Sequence, residues 1–119
     1  MSYFYSLRGW LEISPGDFRT VISELLSIRK RWQITKNEKQ RLYMEGWCWN
    51  DECVNWTHYL FYGADVTEEG LVLFCDTVRE LTTLKVDLSG YFHALGEDRE
   101  KSIIYRIEND VLLEEGRDL

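Results

Sequence analysis

The sequence predicts an α+β domain in which one antiparallel sheet is covered on a single face by two helices. Three observations carry that prediction. Two segments repeat apolar residues at helical spacing, and five others are rich in aromatic and β-branched residues that alternate in period two. They follow one another as β-α-β-β-α-β-β. The 119 residues, 45% hydrophobic and 14% aromatic, suffice for one core and are too few for two. Disordered, collagen-like and coiled-coil classes are excluded by the same composition, with eight Gly, one Pro and no sustained heptad.

Ser2 to Ile13 reads as the first strand, with Tyr3, Tyr5, Leu7, Gly9, Leu11 and Ile13 on one face and Phe4, Ser6, Arg8, Trp10 and Glu12 on the other. Ser14-Pro15-Gly16-Asp17 then signals a helix. Ser14 is placed as N-cap, Pro15 at the first helical position, and Asp17 to reach back as in a capping box. Phe18, Val21, Ile22, Leu25, Leu26, Ile28 and Trp32 form the apolar stripe of that helix. Gln33 to Gln40 is polar and reads as a loop. Arg41 to Trp49 and Val54 to Val66 read as two strands around Asn50-Asp51-Glu52-Cys53. On the first of these, Leu42, Met44, Gly46 and Cys48 oppose Tyr43, Glu45, Trp47 and Trp49. The register of the second stays open, with either Tyr59 and Phe61 or Trp56 and Tyr62 pointing away from the core.

A second helix starts at Thr67-Glu68-Glu69, where acidic residues suit the helix dipole, and buries Leu71, Phe74, Cys75, Val78 and Leu81. Val86 to Ala94 and Ser102 to Ile107 read as a closing hairpin around residues 95–99. From about residue 110 the acidic tail is expected to fray or form a short extra turn. The whole chain, 1–119, is read as a single domain. Its element order fits a ferredoxin-like βαββαβ(β) two-layer sandwich.

Charge narrows the choice of partner. Fourteen basic and twenty-one acidic side chains leave −7, a balance that repels phosphate backbones and anionic membranes. Residues 1–41 hold a balance of +4 and residues 42–119 one of −11. The positive part gathers at Arg29, Lys30, Arg31, Lys36, Lys39 and Arg41, as at a helix C-terminus followed by a solvated loop. No signal peptide or membrane span is read, so a cytoplasmic location is expected, with Cys48, Cys53 and Cys75 as free thiols. Their spacing and the scattered His58 and His93 do not form a zinc pattern, and no metal or cofactor is expected.

Phe4, Trp10, Tyr43, Trp47, Trp49, Tyr91 and His93 carry the strand parity opposite the expected core. Large apolar groups on an open sheet face mark a docking surface. RNA-recognition domains stack bases on such a face, but the acidic excess after residue 41 lacks the counter-charge that phosphates require. Direct nucleic-acid binding is therefore not expected. His93 followed by Glu97 and Asp98 allows a His–carboxylate pair across the last hairpin. No P-loop, dinucleotide turn, HExxH or serine-elbow motif accompanies it, and no catalytic residue is assigned.

In small size, acidity, richness in Trp and Tyr, and its Trp47-Cys48-Trp49 and Gly90–Asp98 segments, the chain resembles bacterial immunity proteins that neutralise polymorphic or contact-dependent toxins. The resemblance implies tight inhibition of a cognate toxin, often a basic nuclease, by an acidic aromatic surface. Trp10, Trp47, Trp49, Tyr91, His93, Glu97 and Asp98 are the candidate partner-binding residues, with a homodimer as a further expectation. The alternative is a small-molecule-binding or catalytic ferredoxin-like domain, dimeric in one version, with its site on the aromatic face near His93.

Overall fold

Strand β1 (Tyr5–Ile13) runs into a turn that sets the direction of the first helix. The computed structural model describes residues 2–34 and 37–118. In it the Asp17 N–H donates to the Ser14 carbonyl at 3.0 Å, and helix α1 (Phe18–Gln33) begins only after that turn. Pro15 thus lies in the turn rather than at the first helical position. The Ser14 hydroxyl donates to Asp17 Oδ2 (3.0 Å) instead of capping an amide, and the same carboxylate accepts the Asp87 N–H at 3.2 Å. The turn is thereby clamped to the loop before the fourth strand. Phe18, Val21, Leu25 and Ile28 form the buried stripe of α1, Ile22 and Trp32 pack beside it, and Leu26 faces solvent.

The segment expected to be a loop and then a strand is a helix for most of its length. Helix α2 (Glu38–Met44) starts at Asn37, whose side chain accepts the Gln40 N–H at 3.1 Å. That bond satisfies one of the donors a helix start leaves free. Tyr43 and Met44 are both buried, which an alternating strand cannot achieve for neighbours. Only Trp47–Trp49 remains as strand β2. An eight-residue connection, with Asn55 in the left-handed region (φ 65°), leads to β3 (His58–Val66). Thr67 caps helix α3 (Glu68–Thr82) by position, while its N–H donates to the Tyr43 hydroxyl at 3.3 Å. Strands β4 (Leu88–Gly96), β5 (Lys101–Glu108) and β6 (Val111–Asp118) complete the chain. The tail expected to fray is therefore a paired strand, zipped to β5 from Glu108↔Val111 to Lys101↔Asp118.

All neighbouring strands are antiparallel, and the six-stranded sheet has the order β2-β3-β1-β4-β5-β6. Among the described residues three helices, one more than expected, accompany it in a two-layer α+β arrangement. The core lies between the layers and centres on Phe74, whose ring meets those of Phe92 (4.8 Å), Tyr105 (5.4 Å), Tyr62 (5.6 Å) and Trp47 (5.7 Å). Each such side chain contributes about 1.5–3 kcal/mol by leaving water. Gly9, at φ 156°, lets β1 pass close to β4, since a Cβ there would lie 2.1 Å from the Tyr91 carbonyl oxygen. Among the described residues no helix is long and apolar enough to cross a membrane.

Candidate functional site

Cross-strand register builds the uncovered face row by row. Tyr5, Leu7, Leu11 and Ile13 of β1 point to the helices, so Ser6, Arg8, Trp10 and Glu12 point away. Trp10 lies opposite Phe61 on β3 and Tyr91 on β4; Phe61 lies opposite Cys48, Tyr91 opposite Arg106, and Arg106 opposite Leu113. One row, Cys48-Phe61-Trp10-Tyr91-Arg106-Leu113, thus crosses all six strands. The next row toward the N-terminal end of β1 is Gly63-Arg8-His93-Ile104-Glu115. On the other side of the aromatic row stand Tyr59, Glu12 and Ser89, with Glu108 beside Val111 beyond them.

These side chains leave a shallow hollow of about 540 Å³ lined by Arg8, Gly9, Trp10, Cys48, Phe61, Tyr62, Gly63, Tyr91 and His93. Its apolar character comes from the rings: Trp10 lies against Tyr91 (5.8 Å), Tyr59 stacks on Phe61 (5.9 Å), and Phe61 is 44% exposed. The Trp10 indole N–H donates to Glu12 (3.2 Å), and the Arg106 guanidinium lies 5.6 Å over the Tyr91 ring. Arg8, Arg106 and Arg117 oppose Glu12, Asp65, Glu108 and Glu115 on this face, so it is close to neutral in a chain of −7.

The structure separates the expected site residues. Trp10, Tyr91 and His93 come together on the uncovered face. Trp47 does not: it pairs with Tyr62, is 3% exposed, and belongs to the core. Trp49 shares that face, half-buried beneath Arg29, whose guanidinium sits 5.7 Å from its ring and also donates to the Trp47 carbonyl. The expected parity fails because α2 takes up residues 38–44, and strand alternation counted from residue 41 does not reach Trp47. Tyr43 is buried for the same reason, and Phe4 lies before β1 with the Lys39 ammonium 5.7 Å above its ring. Tyr59 and Phe61 take the outward positions of β3, while Tyr62 is buried and Trp56 stands 83% exposed in the loop.

Glu97 and Asp98 stay exposed but are tied within the chain. Glu97 accepts the Phe4 N–H at 3.1 Å, and Asp98 accepts the Tyr3 hydroxyl. Neither reaches His93, whose Nε2 lies 2.7 Å from the Ser102 hydroxyl. That distance suits a nucleophile–base pair, but Ser102 is 8% exposed and its hydroxyl is not offered to a substrate. Sequence reasoning missed Phe61, Arg8 and Gly63 as one cluster. Their signal was strand alternation, legible once the register of β3 is known.

Comparison with protein-family models, curated protein sequences and solved structures returned no match. Among the described residues no group of three or more His, Cys, Asp or Glu side chains could hold a metal ion. Cys48, Cys53 and Cys75 are unbridged. Burial pushes the Cys75 thiol up to about 11, so it is protonated and a poor nucleophile at neutral pH. The basic cluster serves the fold: Arg29 reaches β2, Arg31 pairs with Glu80 of α3, and Arg41 pairs with Glu38 at 3.6 Å. Lys36 lies outside the described residues.

Proposed function

We propose that this chain acts by binding another protein through its uncovered sheet face, and that neutralisation of a cognate, basic toxin is the form this takes. The row Phe61-Trp10-Tyr91 carries the reading, since three adjacent rings left at the surface of three adjacent strands supply the apolar centre of an interface. The net charge of −7 supports a basic partner, which long-range attraction would bring to a near-neutral face. The fold name belongs to the same proposal. The order β2-β3-β1-β4 with crossovers through α1 and α3 supports a ferredoxin-like core, to which α2 and the β5–β6 hairpin are additions. The apolar hollow with His93 in its lining favours the small-molecule alternative, which predicts that a metabolite protects the fold against heat.

The test is binding of a purified toxin-type protein encoded beside this chain. Trp10→Ala and Tyr91→Ala should each weaken binding by about 2 kcal/mol or more. Trp47→Ala should instead lower stability by about 3–5 kcal/mol, because the ring it removes lies in the core. Equal affinity of the wild type, Trp10→Ala and Tyr91→Ala would falsify the docking surface.

A further inference from the structure

We propose that the uncovered face is complementary to itself, so that two copies of this chain pair face to face about a two-fold axis running along the Cys48–Leu113 row. The inference rests on reading this face as a protein-docking surface, and commits to a second copy as its occupant when no toxin is bound. Such an axis lays each strand, end for end, over its own counterpart. The aromatic row meets itself, and the rows on either side of it exchange places. On β1 this sets Glu12 over Arg8 of the second copy, and Arg8 over its Glu12. On β3 it sets Tyr59 over Gly63, where an added Cβ would meet nothing within 4 Å. One operation therefore yields two opposite-charge pairs and two contacts of a ring with a notch, as an isologous interface requires.

The charges are available for that pairing. Arg8 and Glu12 are four residues apart on one face, roughly 13 Å along the strand, too far to pair within one chain. Among the described residues Arg8 enters no ion pair, and Glu12 takes only the Trp10 indole N–H. Arg106, on the axis, faces Arg106 of the second copy, and the Glu108 carboxylates of the two chains, one on each side, offset that like-charge contact. The area suffices as well. Five strands of about seven residues and the three-residue β2, spaced about 4.8 Å apart with about 3.3 Å per residue, offer about 600 Å² per copy, or about 1,200 Å² in all, at the lower end of the range of stable interfaces.

Sedimentation velocity on the wild type, Arg8→Glu, Glu12→Arg and the double exchange tests this, with circular dichroism to confirm folding. The wild type should sediment as a dimer that dissociates on dilution. Each single variant places like charges face to face and should raise the dimer dissociation constant by about tenfold or more. The double exchange should restore pairing, an outcome that general damage to the surface cannot produce. A wild type that stays monomeric at sub-millimolar concentration overturns the proposal, as does a dimer indifferent to both single variants or a double exchange no better than either. A monomer whose toxin binding still depends on Trp10 and Tyr91 sinks self-pairing alone. A charge-sensitive dimer that binds its toxin equally well without those rings sinks only the toxin-docking reading.

Discussion

Tyr3 and Asp98 stand 95 residues apart, and their hydrogen bond holds the N-terminal segment against the β4–β5 turn. The Tyr3 hydroxyl, with the Glu100 N–H at 3.0 Å, holds the Asp98 carboxyl below the usual carboxylate range. Donation to Asp98 in turn holds the Tyr3 phenol up to about 12. The two shifts act at opposite ends of the pH scale. A depressed carboxyl stabilises the fold above its ordinary value of about 3.9, and that stabilisation is lost as pH falls through the lowered value. A raised phenol stabilises the fold below about 10, and its contribution is lost as pH rises through the folded-state value. Both groups are at the surface, where solvent screens the effect. In Tyr3→Phe the carbon-detected NMR titration of Asp98 should move up toward the ordinary carboxylate range. An unchanged midpoint would show that the bond does not form in solution.

Helix α2 shows how an element can hide in a short polar stretch. Seven residues are too few to display a full apolar stripe, and its start lies in a segment rich in Lys, Asn and Glu. The Asn37 cap and the adjacent burial of Tyr43 and Met44 stabilise it, and the second of these depends on α3 and β3 being in place. Asn37→Ala should cost about 1 kcal/mol in chemical denaturation, the value of a helix cap. Leu25→Ala on α1, which opens a cavity at a position with no exposure, should cost about 2–5 kcal/mol. If Asn37→Ala is neutral while Leu25→Ala is not, the cap contributes nothing to α2.

Across the whole molecule, charge and apolar surface lie in different places. The uncovered face is nearly balanced, and most of the excess acid sits on α3, the β4–β5 turn and the loops. In the proposed complex, attraction toward a basic partner would act at long range, and the rings would hold it after contact. Stopped-flow association with the proposed toxin partner should slow as salt rises, to a similar degree in the wild type and in Trp10→Ala. Trp10→Ala should differ mainly in a faster dissociation. An association rate indifferent to salt would remove net charge from the account.

Helices α1 and α3 could be read from the sequence, though not their exact bounds, because their signals are local: a turn with Pro15 and Gly16, acidic residues at Glu68 and Glu69, and apolar spacing that repeats over several turns. The parity of β1 was legible for the same reason, and with it the surface placement of Trp10. The sides taken by Trp47 and Phe61 were not legible, since strand alternation permits either face and only pairing selects one. Tyr62 opposite Trp47, with Phe74 closing over both, selects the core for Trp47 and turns Phe61 outward. Strand β6 lay equally beyond local reading. Its polar stretch Glu114–Asp118 resembles a free tail, and it becomes a strand because β5 offers it an edge whose N–H and C=O groups would otherwise stay unpaired.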